Sequence, residues 1–359
     1  MSAETKNKLL SQYYRVPPGV FPVAGLLLAF VAGGLLILVS GFPPLQAYAA
    51  LIQSAFGSKN GIAQTLIQAA PLILASLGVA IAFKGNLLNI GAEGQLYMGA
   101  IGATFVGLFL GDLSPVVGIP LAIGMGFLLG AIWAGIAIFF KLKFGANEII
   151  ITLMMNYIAI EIAYWLISGP WKDPEFTEPF SATITPGARL PVILPGSSLH
   201  AGILLAVVAT VAIAWVMSKT VFGFQLSVMG ASNRVADYAG IKTARLMLTS
   251  MLLGGGLAGL AGVCEVAGVQ HRLIENLSPG YGYTAIAIAM LGNGNPWGIL
   301  VASILFAGLD VGVQGMQQFV SVPVSAAEIL KGLVLLFVVV GLVLSRRQEI
   351  TQRKRKLIG

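Results

Sequence analysis

VFPVAGLLLAFVAGGLLILVS, residues 20–40, decides the class of this chain. It carries no charge, and a helix needs about 20 apolar residues to cross the hydrocarbon core of a bilayer. It is longer than the roughly 7–15-residue apolar region of a secretory signal peptide. Lys6, Lys8 and Arg15 precede it. The run therefore reads as an uncleaved first membrane helix with its N-terminus on the inner side.

Nine further apolar segments follow, at about 63–83, 88–110, 117–140, 148–168, 199–217, 245–270, 281–292, 297–319 and 324–345. Together they predict an all-α, polytopic transmembrane helical bundle of about ten helices. The 281–292 segment is too short to cross simply and reads as tilted, broken or re-entrant. Composition agrees: the chain is 57% hydrophobic and 10% charged, against about 25% charged in soluble domains. A soluble protein this apolar could not cover its own surface with polar groups, so lipid must do so. The 45 glycines fit helices whose backbones approach closely, and Gly255 with Gly259 forms a small-xxx-small contact motif.

The net charge is +7. The basic residues sit in short loops and at the termini, which is the signature of membrane topology and not of nucleic-acid binding. With the N-terminus inside, sixteen of the 21 basic residues fall on the inner side. These are Lys6, Lys8, Arg15, Lys84, Lys141, Lys143, Lys219, Arg234, Lys242, Arg245 and the tail residues Arg346, Arg347, Arg353, Lys354, Arg355 and Lys356. The bias demands an even number of spans and two cytoplasmic termini. A single cysteine, Cys264, rules out disulfide frameworks and Cys-ligated zinc within one chain. His200 and His271 lie far apart without metal-ligand spacing, so no metal site is expected. HExxH and Walker A patterns are absent from the sequence, and with them any expectation of a catalytic residue in this chain.

Three loops stand out. Residues 41–62 read as an external, mildly amphipathic segment with a short interfacial helix. Residues 169–198 are external, and Pro170, Pro174, Pro179, Pro186, Pro191 and Pro195 forbid a long helix there. Residues 218–245 form the longest cytoplasmic loop, large enough to hold a helix facing a partner.

Polar residues inside apolar segments are functional candidates by default. Asn89, Glu93 and Tyr97 fall at i, i+4, i+8 and would share a helix face, with Gln95 beside them. Glu93 reads equally as the lining of a solute path or as a hydrogen-bonded packing group. Glu148, Thr152 and Asn156 form a second set, and Asp310, Gln314 and Gln318, with Gln317, a third polar stripe. Glu328 and Lys331, at i, i+3, are expected to pair with each other. Glu265 beside Cys264 is ambiguous.

Four blocks then carry a resemblance. They are FKGNLLNIGAEGQLYMGA at 83–100, GANEII at 145–150 leading to Asn156 and Tyr157, VMGASNRVADYAGI at 228–241, and LGNGNPWG at 291–298. The chain resembles, over nearly its whole length, the nucleoside and simple-sugar permeases of ABC importers. These are related to the ribose and branched-chain amino acid permeases, and the long 41–62 segment is most similar to the guanosine-uptake type. The resemblance implies one type II ABC-importer-like permease domain over 1–359. Within it lie a cytoplasmic N-terminal segment (1–19), a coupling loop (218–245) and a basic cytoplasmic tail (346–359).

It further implies a second permease subunit, a shorter paralogue, and a cytoplasmic ATPase with two nucleotide-binding domains that holds the ATP. An external solute-binding lipoprotein would deliver the solute. This chain would bind no cofactor, would not be an enzyme, and would sit in a bacterial cytoplasmic membrane among lipid. The solute path would include Asn89, Glu93, Gln95, Tyr97, Asn156, Asp310 and Gln314. Gly230, Asn233, Arg234, Asp237, Tyr238 and Gly240 would contact the ATPase, with Ser232 or Asn233 capping a short helix. Gly85 and Asn86 are expected to break the helix before the first block, as in discontinuous transporter helices. The alternative reading is an ion-coupled secondary transporter or channel for a small polar solute, with Glu93 and Asp310 as its ion sites.

Overall fold

The computed structural model describes residues 20–111 and 113–358; the basic N-terminal segment 1–19 lies outside them. Among the described residues there are thirteen α-helices. They are α1 (Val20–Val39), α2 (Pro44–Phe56), α3 (Lys59–Lys84), α4 (Ala92–Phe109), α5 (Pro115–Phe144), α6 (Glu148–Ser168) and α7 (Gly202–Lys219). Then come α8 (Val221–Ala231), α9 (Asn233–Tyr238), α10 (Thr243–Val263), α11 (Tyr281–Leu291), α12 (Pro296–Val320) and α13 (Val324–Ile358). Seven spans, α3, α5, α6, α7, α10, α12 and part of α13, are long and apolar enough to cross a membrane. The protein is thus an all-α, multi-pass membrane protein.

The chain divides into two compact units, residues 1–61 with 309–359, and residues 62–308. In the first, α1 packs along α13. The short helix α2 turns Ala47 and Leu51 toward Ile37, Met316, Val322 and Leu330, which form a closed apolar cluster. A short helix is therefore present within 41–62, with Ala47, Ala50, Leu51 and Ala55 buried and Leu45 and Ile52 left exposed. The anticipated Glu328–Lys331 pair is not made. Lys331 Nζ lies 2.6 Å from Asp310 Oδ1 on α12, while Glu328 is exposed. Asp310 is the better partner because it is largely withdrawn from water, where opposite charges attract more strongly. Gln314, Gln317 and Gln318 are exposed.

The second unit is built around α4, α5 and α10. Their contact is glycine on glycine. A Cβ added to Gly99 would lie 2.0 Å from the Gly259 carbonyl oxygen, and one added to Gly259 would lie 2.3 Å from that of Gly126. Gly255 meets Gly130 in the same way, so the small-xxx-small motif makes the expected contact. Helix α10 ends in a π-helical turn, Cys264–Gln270, closed by His271 at φ +54°. The proline-rich 169–201 segment holds one 3₁₀ turn, Pro186–Ala188, and isolated bridges such as Phe180 to Ile274. Proline's missing N–H explains why nothing longer forms there.

Candidate functional site

Helix α3 ends at Lys84 because Asn86 takes a left-handed conformation, φ +58°. Residues 85–91 then run without regular structure before α4 starts at Ala92. The chain has a discontinuous helix where the sequence suggested one. It also corrects the shared helix face: Asn89 lies in the break, so it cannot line up with Glu93 and Tyr97 at helical spacing. The Asn89 side chain accepts the Gly91 N–H at 3.0 Å, a local turn that competes with helix.

Asn156 clamps the break from α6. Its Oδ1 accepts the Gly94 N–H at 2.8 Å, and its Nδ2 donates to the Ile90 carbonyl at 2.9 Å. Thr152 Oγ1 accepts from the Ile90 N–H at 3.4 Å. Asn89 and Gln95 exchange amide hydrogen bonds of 3.1 and 3.0 Å. All four side chains are buried, and an unpaired backbone group there would cost about 1–3 kcal/mol. Asn156, Thr152 and Asn89 thus satisfy the backbone of the broken stretch, and Gln95 holds the Asn89 side chain in place.

The depth of this knot follows from α6. That helix starts at Glu148, whose carboxyl lies 2.6 Å from Lys141 Nζ on α5. Asn156 is eight residues further on, about 12 Å along the axis. With the charged Lys141–Glu148 pair set at one face of a hydrocarbon layer about 30 Å thick, the start of α4 falls near the middle.

A second helix also begins there. After the π turn, residues 271–280 fold back into the bundle, and Ser278 Oγ accepts the N–H groups of Gly280 and Tyr281 at 3.2 and 3.0 Å. Glu93 Oε2 then accepts the Gly282 N–H at 2.6 Å. Ser278 also hydrogen-bonds Glu93, and its N–H reaches the Tyr97 hydroxyl at 3.5 Å. Glu93 is thus the cap of α11, the short helix the sequence left as broken or re-entrant. Gly282 is required by the approach: a Cβ there would lie 2.2 Å from the Glu93 nitrogen.

Further along α6 from this knot is a cavity of about 350 Å³. It is lined by Tyr97 on α4, by Glu161, Tyr164 and Ile167 on α6, and by Glu275 and Asn276 on the returning loop. Of these, sequence reasoning found only Tyr97. Glu161 had a signal, as the one charged-type residue between Ile149 and Ser168. Glu275 and Asn276 had none, because only the fold brings the loop back.

At the other end of the second unit, α8 and α9 make an elbow at Ser232, φ −166°. The Ser232 hydroxyl accepts the Val235 N–H at 3.4 Å, so Ser232 caps α9. The six residues assigned to this loop divide by environment. Gly230 sits on the Lys84 carbonyl, where a Cβ would come within 2.0 Å. Asp237 accepts from Thr243 Oγ1 at 3.0 Å, and Gly240 has φ +73°. Asn233, Arg234 and Tyr238 point outward, Tyr238 at 93% exposure.

Residues 61–339 match the family described as the permease component of the branched-chain amino acid transport system. The chain is 37% identical to a glucose ABC transporter permease protein of Haloferax volcanii, over 89% of this chain and 86% of that one. It is 33% identical to a guanosine ABC transporter permease protein of Bacillus subtilis, over 88% and 92%. It is 28% identical to a second guanosine permease protein of the same organism, over 67% and 78%. The broken helix, the α8–α9 elbow and most of the bundle lie inside the matched span, and the chain belongs to this family of ABC transporter permease components.

Proposed function

We propose that the chain is the membrane-spanning permease subunit of an ATP-driven importer in a bacterial cytoplasmic membrane, and that its solute is a nucleoside or a related simple sugar. The observation that carries this reading is the near full-length similarity to glucose and guanosine permease proteins. The charge bias of the loops supports cytoplasmic termini, which puts the α8–α9 elbow inside and the 169–201 segment outside. Two half-helices whose N-termini meet near mid-depth are an arrangement discontinuous transporter helices use at solute sites.

The ATPase with two nucleotide-binding domains would seat on the elbow, through Asn233, Arg234 and Tyr238. Gly230, Asp237 and Gly240 would hold the elbow's shape. A second permease subunit completes the pathway; two guanosine permease proteins in one organism, both similar to this chain, support a paralogue as that partner. An external binding lipoprotein would deliver the solute. The two ion sites of the ion-coupled alternative are already engaged, Asp310 by Lys331 and Glu93 by the start of α11.

The test is uptake of labelled guanosine, uridine, ribose and glucose by cells with and without this gene, and with an ATPase partner disabled in its nucleotide site. Uptake should require both genes. Transport that persists without the ATPase would refute the reading. Tyr238→Ala should lower transport more than assembly, leaving ATP hydrolysis uncoupled; a normal transport rate would remove the elbow from the coupling path.

A further inference from the structure

Glu161 stands where a membrane helix ordinarily carries no charge. It lies thirteen residues beyond Glu148 on α6, about 20 Å along the axis, and its residue is exposed. A carboxyl facing hydrocarbon is strongly disfavoured, so this face must look onto water, a partner or a solute. Tyr157, Glu161 and Tyr164, at i, i+4 and i+7, share it, and the two tyrosines are 58% and 45% exposed. The returning loop brings Glu275 and Asn276 to the same cavity, and Tyr97 lines it from α4.

We propose that this cavity is the solute-contact site of the permease and that its occupant is an uncharged, hydroxyl-rich ring compound, a nucleoside in preference to a free sugar. The proposal rests on the transport function above and names the residues that meet the solute. The cavity, about 350 Å³, falls within the roughly 300–1,000 Å³ of small-molecule sites. Carboxylates accept hydrogen bonds through two oxygens each, which suits pairs of neighbouring hydroxyls. Tyrosine rings offer flat apolar faces to a base, and the Asn276 amide both donates and accepts at its edge. The lining holds two acidic side chains and no Lys or Arg. Nucleotides, sugar phosphates and solutes with a free carboxylate would be repelled. The buried Asn89, Gln95 and Asn156 then form the frame beneath the site, since their polar atoms are already engaged by the broken helix. Tyr97 joins the two, lining the cavity and meeting Ser278, the residue that starts the turn into α11.

The test uses the whole importer, with its ATPase, second permease and binding protein, in proteoliposomes. The native thiol, Cys264, is fully buried, so on this subunit, separated from its partners before readout, a thiol reagent of the charged methanethiosulfonate type should label only an introduced cysteine. Tyr164→Cys should be labelled, and saturating guanosine should slow labelling about tenfold, whereas guanosine 5′-monophosphate at the same concentration should leave it unchanged. The binding protein is present in every arm, so its docking is common to all. Asn276→Cys repeats the experiment from the loop if the first variant assembles poorly. In parallel, Glu161→Gln should cut maximal guanosine uptake about tenfold while ATP hydrolysis continues, and the Glu161→Gln/Glu275→Gln pair should admit the monophosphate as a competitor. Normal uptake by the wild type with no protection at either cysteine, and no effect of the glutamine variants, would overturn the site while leaving the transport function intact. A wild-type importer that moves neither nucleosides nor sugars would overturn both.

Discussion

Replacing Glu93 separates the structural role of its side chain from any role in conduction. Its carboxyl oxygen accepts the Gly282 N–H at 2.6 Å, and the residue is 2% exposed. Glu93→Ala removes the acceptor and leaves a backbone N–H buried at the start of α11. An unsatisfied buried donor costs about 1–3 kcal/mol, and loss of a helix cap about 0.5–2 kcal/mol. These overlap, since they describe the same N–H, so they are not added and the expected loss is about 1–3 kcal/mol. Glu93→Gln keeps a side-chain oxygen at nearly the same place and should cost less than about 1 kcal/mol. At about 2 °C per kcal/mol for a long chain, the alanine variant should melt about 2–6 °C lower in detergent and the glutamine variant within about 2 °C of wild type. Hydrogen exchange localises the effect: the peptide covering 278–285 should lose protection in Glu93→Ala and keep it in Glu93→Gln. An alanine variant with unchanged melting and unchanged 278–285 protection would refute the capping role. A glutamine variant that folds normally but cannot transport would give Glu93 a role in the pathway as well.

Further expectations follow from other contacts. Gly99→Ala forces a methyl to within 2.0 Å of the Gly259 carbonyl; overpacking of this kind costs about 1–3 kcal/mol, and size-exclusion profiles should show the loss. Gly124→Ala, where nothing lies within 4 Å, should be neutral in the same assay. His200, at the foot of α7, is 1% exposed, and its Nδ1 accepts the Gly202 N–H at 3.1 Å. Burial, and then the nearby His271, push its pKa down from 6.5 to about 4. The folded state therefore holds His200 neutral while the unfolded chain binds the proton first. Its stabilisation is complete above pH 6.5 and is lost as pH falls from about 6.5 to about 4, up to about 3 kcal/mol. Melting temperature against pH should slope more gently over that window in His200→Gln, and an identical slope would dismiss the assignment. Lys331→Met leaves Asp310 unpaired and should cost about 3 kcal/mol, whereas Lys331→Met with Asp310→Asn should recover most of it; equal melting of the single and double variants would show that the pair is idle.

The sequence carried the class of this protein because lipid imposes a length and an apolarity that one chain displays directly. The run at 20–40 became α1, and the proline-rich 169–198 segment stayed irregular for the reason its prolines supplied. Even the break before α4 was legible, since Gly85 and Asn86 stand where α3 stops. What could not be read was partnership. The spacing of Glu328 and Lys331 favoured a local pair, but the fold set Lys331 beside Asp310, eighteen residues before Glu328. Periodicity placed Asn89 on a helix face, because a helical count has no means of registering a break that begins three residues earlier.

The candidate site makes the same point in a sharper form. Asn89, Glu93, Gln95 and Asn156 drew attention as polar groups at membrane depth, and they do come together. Their hydrogen bonds, however, go to backbone that the chain breaks leave open, or in the case of Gln95 to the Asn89 side chain beside it. A polar residue in an apolar run therefore admits two explanations, and its partners decide between them. Asn156 Oδ1 has the Gly94 N–H and Nδ2 has the Ile90 carbonyl, so its presence is explained without a solute. The same reasoning applied to Glu161 ends differently. It is a carboxyl two-thirds of the way along an apolar helix, it is exposed, and it borders a cavity shared with Glu275, Asn276 and two tyrosines. The site proposed there is thus built from groups that the broken backbone leaves to other uses, with Tyr97, whose hydroxyl accepts the Ser278 N–H, joining the two.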